Sequence, residues 1–243
     1  MASAATGRRT IRIGLILVLG LLVGACAQTI AFKRAEEFTP SSPNPRVLLM
    51  PADIELSELS AAGIPFPKAE WTSAATGHVA VAIDAFMALR NARTLPYAAP
   101  PEGSPEAYRQ GQIIKLHGAV GNAVLAHKFN PASSLPTVRD KFDYTLGTGV
   151  RALAGDDTEI ADYALFVYIR DSYASGERAA VMMFGLLFGV AIPGGIQIGF
   201  ASLVDLETGD IVWFNRLVNP GGDLRTAEPA RKTVENLLAD FPL

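Results

Sequence analysis

Tyr163-Ala164-Leu165-Phe166-Val167-Tyr168-Ile169-Arg170-Asp171 decides the fold. An apolar run this short, rich in aromatic and β-branched side chains, has the length and composition of a strand. Two further runs follow at 196–205 and 210–218, joined by Leu206-Glu207-Thr208-Gly209. Turn-forming residues between two apolar runs predict a β-hairpin. Toward the N-terminus, Arg46-Val47-Leu48-Leu49-Met50-Pro51 is a bare apolar run closed by proline, as expected of a strand buried on both faces.

Between these strands the apolar period changes. Trp71, Ala75, Val79, Ile83, Phe86 and Met87 recur at helical spacing over 69–92. Thr94 to Pro105 holds four prolines and reads as a loop. A second helical pattern covers 106–129 through Ile113, Leu116, Val120, Val124 and Leu125. A third is expected over 138–154 from Phe142, Leu146, Val150 and Leu153, stopped by Gly155-Asp156-Asp157. The chain closes on a helix over 226–240 that buries Val234, Leu237, Leu238 and Phe241. Helices grouped between the first strand and the later ones predict an α/β fold with α+β-like order. It is a single domain with a mixed sheet of about four to five strands and helices packed on it.

The N-terminus carries a different message. Arg8, Arg9 and Arg12 precede an uncharged apolar run, Ile13 to Val23, which is too short to span a bilayer but suits an export signal. Val23, Gly24 and Ala25 then lead into Cys26, the one cysteine of the chain. Val23-Gly24-Ala25-Cys26 resembles the lipobox of bacterial lipoproteins. That resemblance implies cleavage of residues 1–25 and acylation of Cys26. Ala27, in place of an aspartate, implies delivery to the outer membrane, with the protein held on its periplasmic side. Residues 26–45 are then a lipidated tether with a charged stretch, Lys33 to Glu37, and a proline-rich spacer, Thr39 to Pro45. Residues 46–243 form the periplasmic domain.

Composition narrows the partners. Loss of residues 1–25 removes three arginines and moves the formal net charge from −3 to −6. A mildly acidic chain without a basic tract has no footprint for nucleic acid and none for anionic lipid by charge. Membrane attachment therefore falls to the acyl chains on Cys26. With that thiol modified, none is left for a disulfide. Hydrophobic residues make up 49% of the full chain, and what remains after residue 25 is long enough to bury a core without one.

One apolar block stands apart. Residues 179–198 include Met182, Met183, Phe184, Leu186, Leu187 and Phe188, and no charge occurs between Arg178 and Asp205. The block is long enough to span a bilayer, but Pro193-Gly194-Gly195 interrupts it, so a buried helix or loop running into a core strand is expected, with a membrane or partner-insertion segment as the alternative. Left exposed, the block would be an interface, because folded monomers rarely keep large apolar patches in water. Assembly of several copies through this segment is the sharper alternative.

The hairpin carries a second resemblance. Ser202-Leu203-Val204-Asp205-Leu206-Glu207-Thr208-Gly209-Asp210-Ile211-Val212-Trp213-Phe214-Asn215 places a D-x-x-T-G turn between two apolar strands, the second with a tryptophan. It resembles the late hairpin of the curli secretion lipoprotein and TolB N-terminal-domain group. The resemblance implies an α/β domain with a role in envelope assembly and transfers no catalytic residues. The turn chemistry also stands alone: aspartate accepts from backbone donors and glycine tolerates positive φ.

Catalytic and metal constellations are not found in the sequence. His117 and His127 lie ten residues apart on one expected helix, too far to share a metal, and His78 falls on an apolar helix. All three read as structural. Asp156, Asp157, Glu159 and Asp162 cluster before a strand and read as a solvated turn. No nucleophile elbow, P-loop or dinucleotide fingerprint occurs. Gly118-Ala119-Val120-Gly121, mid-helix, suits close packing. No cofactor is expected. The sequence thus predicts a non-catalytic accessory lipoprotein that supports an envelope assembly or secretion complex through a protein partner. The alternative is a small-molecule or glycan binder, with Trp71, Tyr97, Tyr108 and Tyr144 as candidate pocket liners.

Overall fold

Strand β6 (Tyr163–Ala174) is the axis of the molecule, and its side chains alternate between two cores. Tyr163, Leu165, Val167 and Ile169 face one, and Ala164 and Phe166 face the other, as the two-residue period of a strand dictates. The computed structural model describes residues 28–33, 39–40, 42–90, 92–137, 140–154 and 161–243. The lipobox residues Val23, Gly24 and Ala25, and Cys26 itself, lie outside them, as do Asp156, Asp157 and Glu159.

The described strands are β1 (Gln28–Lys33), β2 (Arg46–Leu49), β3 (Asp53–Leu59), β4 (Pro65–Pro67), β5 (Arg93–Pro96), β6, β7 (Gln197–Asp205) and β8 (Ile211–Asn219). The α-helices are α1 (Ala69–Leu89), α2 (Pro105–Lys128), α3 (Gly176–Leu187) and α4 (Ala227–Leu237). One mixed sheet runs in the order β1-β8-β7-β6-β2-β5, with β3 also on β6 and β4 on β3. β6, β7 and β8 are antiparallel neighbours, whereas β2 and β3 run parallel to β6. Pro51 has no N–H to give the ladder. The chain therefore pairs with β6 in two pieces, Val47–Leu49 against Tyr163–Leu165 and Asp53–Leu59 against Tyr168–Ala174.

The fold class agrees with the sequence reading, but eight strands replace the expected four to five. β3 alternates correctly, with Ile54 and Leu56 buried, yet its four polar residues read as a loop. β4 and β5 hide among prolines, which sheets tolerate at edges. β1 occupies part of the expected tether. It pairs antiparallel with β8, from Gln28 opposite Val218 to Lys33 opposite Trp213. Its Phe32 ring packs 5.0 Å from that of Phe129. The expected tether is therefore not free along 28–33.

α1 and α4 cover one face of the sheet, burying Val79, Ile83, Met87, Val234 and Leu237 against Leu165, Leu203 and Trp213. By length and composition alone α1 is apolar enough to cross a membrane, but its apolar stripe is spent on this core. α2 covers the other face with Ile113 and Val124. Ser104 caps α2, its hydroxyl accepting from Ala107 N at 3.1 Å, ahead of Pro105.

The expected helix over 138–154 is not α-helical in its described part. Residues 140–147 run without regular structure into a 3₁₀ helix, Thr148–Leu153. Phe142, Leu146, Val150 and Leu153 are buried together as their spacing required. Their backbone, however, bonds to the hairpin turn: Leu146 N donates to Gly209 O at 2.8 Å, and Thr145 bridges Asp210. Gly147, at φ 74°, turns the chain there. The D-x-x-T-G turn is built as read. Asp205 Oδ1 accepts from the N–H groups of Glu207 (2.8 Å) and Thr208 (2.9 Å), and Gly209 takes φ 82°.

Candidate functional site

Between the end of β6 and the start of β7 the chain leaves the sheet. Ser175 caps α3, its hydroxyl accepting from Arg178 N at 3.1 Å. The helix that follows is inverted for a soluble protein: its one buried residue is Arg178. Met183, Phe184, Leu186, Leu187 and Phe188 are each between 66% and 75% exposed, and Met182 is half-buried. Nine of the seventeen large hydrophobic side chains exposed among the described residues fall between Val181 and Ile198. The exposed apolar surface is thus concentrated in one place rather than scattered.

The expectation of a buried helix over 179–198 is corrected by this exposure. Burial begins at Gln197 and continues into β7. The physical reason is coverage. The two faces of the sheet are already taken by α1 with α4 and by α2, so α3 packs only past the end of β6.

The segment is nonetheless firmly held. The Arg178 guanidinium donates twice to Pro193 O, from Nε at 3.0 Å and Nη2 at 2.7 Å. Its Nη1 lies against Gly63, where a β-carbon would come within 2.8 Å. The Ser172 hydroxyl donates to Ile196 O (3.1 Å) and accepts from Ile196 N (3.0 Å). Beneath it lies a buried polar network. Asp171 accepts from Gln197 Nε2 at 2.8 Å and from the Tyr173 hydroxyl. That hydroxyl in turn accepts from Leu224 N at 2.9 Å, and Gln197 Oε1 accepts from Thr233 at 3.0 Å. Burial raises the Asp171 carboxyl above its usual range, opposed by the bonds from Tyr173 and Gln197. Burial, then the neighbouring carboxylate, raises Tyr173 as well. The network joins β6, β7 and α4 and gives α3 a rigid base.

Ile64 and Phe66 extend the same pole. β3 ends with Leu59 opposite Ala174, so the turn into β4 lies at this end of the sheet, and both side chains are more than half exposed. By sequence, Pro65 and Pro67 mark residues 63–67 as a loop. Large apolar side chains between prolines were the available signal. With no charge from 179 to 204, the segment offers apolar contact.

The other candidates separate. His117 is buried, its Nε2 2.6 Å from Ser202 Oγ and its ring stacked 4.2 Å from Phe166. Burial lowers it to about 3. His127 Nδ1 lies 2.7 Å from Ser133 O. Among the described residues no group of three His, Cys, Asp or Glu is placed to hold a metal, and Asp162 accepts from Arg46 N at 2.7 Å. The four aromatics proposed as liners do not converge. Tyr97 borders a cavity of about 340 Å³ between α1 and β2–β5, lined also by Ile83, Leu165, Thr76 and Asp84. Trp71 packs edge-on against Tyr173 at 5.7 Å, Tyr108 is exposed, and Tyr144 packs on Phe142 at 5.1 Å.

The molecule is thus a mixed α/β domain with one exposed apolar pole. No protein-family model matches this chain, and no curated protein matches it. Among solved structures it is similar to the PelC dodecamer of Paraburkholderia phytofirmans, in a leucine-to-methionine variant and in a second crystal form. The first shares 11% identity at a TM-score of 0.37, covering 90% of this chain and 98% of that one. The second shares 11% at 0.36, covering 88% and 96%. A likeness this slight carries no argument about the present chain.

Proposed function

We propose that this chain is a lipid-anchored periplasmic accessory lipoprotein, non-catalytic, that supports an envelope assembly or secretion complex from the outer membrane. The observation that carries the reading is where the N-terminal segment joins the fold. Gln28, two residues after Cys26, pairs with Val218 at the same end of the sheet as the exposed apolar pole. A lipobox at Cys26 would tether the membrane to the end of the sheet that carries the exposed apolar segment, which supports the reading. The resemblance of the 202–215 hairpin to the curli secretion lipoprotein group supports the assembly role.

Metabolic labelling with an alkyne fatty acid tests the anchor. The wild-type chain is expected to incorporate label and to remain in the membrane fraction. Cys26→Ser is expected to abolish cleavage and labelling, whereas globomycin blocks cleavage but leaves the label, because the thiol is acylated before the cut. A wild-type chain that takes no label overturns the reading. Crosslinking in the native envelope, read by mass spectrometry, then identifies the protein partner.

The cavity beside α1 favours a second reading, binding of a small apolar ligand or glycan. Its walls are mostly apolar, with Asp84, Thr76 and Tyr97 as the polar groups that would orient an occupant. A ligand that binds only the folded state raises the melting temperature, so a thermal-shift screen separates the two.

A further inference from the structure

The exposed pole poses a question of occupant: another copy, a different protein, or lipid. Four observations converge on lipid. The first is position. The starts of β1 and β7 and the ends of β6 and β8 share one end of the sheet, since Gln28 pairs with Val218, Val218 with Ile198, and Ile198 with Arg170. α3 projects from that end. Cys26 precedes Gln28 by two residues, which at about 3.5 Å per residue cannot carry it more than about 7 Å away. Acyl chains on Cys26 are thereby delivered to the end of the sheet from which α3 projects.

The second is chemistry. From Val181 to Ile192 every side chain is apolar. Protein interfaces surround an apolar centre with a polar rim that makes hydrogen bonds, and the outward surface of this segment offers no side chain for one. The third is backbone satisfaction. At the tip, Phe188 N and Val190 N both donate to Gly185 O at 2.9 Å, and Gly189 N donates to Leu186 O at 3.1 Å. The end of the helix thus meets these three donors itself, which lowers the cost of leaving bulk water. The fourth is anchoring. Arg178, the single buried residue of α3, points inward to Pro193 O and leaves the outer surface without charge.

We propose that α3 and the turn after it, residues 181–192, insert into the acyl–headgroup boundary of the leaflet that holds Cys26. The insertion gives the domain a fixed orientation at the membrane. In which leaflet this occurs rests on the lipid-anchor reading above. Interfacial segments of this kind bury their apolar face by about 5–10 Å. With a net negative chain the attraction is apolar rather than ionic, so insertion is independent of lipid charge.

The test uses the full acylated chain in phosphatidylcholine proteoliposomes. Because acylation consumes Cys26, a single new cysteine at Leu187→Cys takes an environment-sensitive fluorophore uniquely. A second chain carries the label at Val81→Cys on α1, an exposed position buried by neither the core nor the proposed contact. The Leu187 probe is expected to shift to the blue and to be quenched several-fold more strongly than the Val81 probe by a shallow nitroxide lipid. Adding phosphatidylglycerol is expected to leave both unchanged. Equal quenching of the two probes overturns the inference. So does a blue shift at Leu187 that grows with protein concentration in lipid-free detergent, which would assign the pole to a second copy. Maleimide reactivity of Cys26 in the denatured wild type reports the anchor separately. If that thiol is free, the lipoprotein reading falls, and the Leu187 probe in a Cys26→Ser chain mixed with the same vesicles still decides insertion.

Discussion

His117 lies on α2 with its ring between Phe166 and Phe200 and one nitrogen on the Ser202 hydroxyl. Burial disfavours the imidazolium, so the folded pKa falls to about 3 from the ordinary 6.5. The unfolded chain therefore binds the proton first as pH drops. Stability is full above about pH 6.5 and declines as pH falls toward 3, by on the order of 4 kcal/mol from this group. Urea midpoints at pH 7, 5 and 4 are expected to fall in that order, and His117→Gln to flatten the part of the slope that this residue supplies. A wild-type midpoint independent of pH in this window would refute the assignment. The sequence marked His117 as structural from its helical setting. Its partner, 85 residues away on β7, was not legible, because sheet register brings the two together.

At the scale of elements, α2 rests on the sheet through a glycine. A β-carbon on Gly121 would lie 2.1 Å from Phe200 Cζ, and Phe200 is fully buried, stacked between Tyr168 and Phe214. The ring has nowhere to move. Gly121→Ala gains about 1 kcal/mol of helix propensity and loses about 1–3 kcal/mol to overpacking, so it destabilises. Gly118 has nothing within 4 Å of its β-carbon position. Gly118→Ala is therefore expected to stabilise the same helix by up to about 1 kcal/mol, for want of any clash. Calorimetry should move the two melting temperatures in opposite directions. The small residues of 118–121 were readable as a close-packing site. Which of them touches, and that it touches a strand, was not.

Elements with a strong period were legible: β6, the hairpin with its Asp205 and Gly209 turn, α1, α2 and α4 all follow their apolar spacing. Elements made by pairing were not. β1, β4 and β5 are short edge strands whose only reason to be strands is a neighbour to bond. Phe142, Leu146, Val150 and Leu153 keep the burial their spacing predicted without the helix it implied, because the backbone found partners in the 205–210 turn.

At the scale of the molecule, α3 adds little to the core it projects from. Leu186 and Leu187 are 66% and 75% exposed, so Leu186→Lys with Leu187→Lys is expected to change stability by no more than about 0.5 kcal/mol. In a Cys26→Ser chain, which lacks the acyl anchor, the same pair should abolish vesicle binding. Denaturation and co-flotation measured together check this, and a large loss of stability would show the segment to be core after all. What the sequence by itself determined is local. It specified the lipobox resemblance at Cys26, the apolar periods of the long elements, the turn chemistry at Asp205 and Gly209, and the uncharged run 179–204, because each depends on residue types at short spacing. Only the tertiary structure decided that this run stays outside the core, and that it shares a pole with the strand leading from Cys26. Exposure is settled by which other elements have already filled the faces of the sheet, and that is a property of register and packing among residues far apart in the chain.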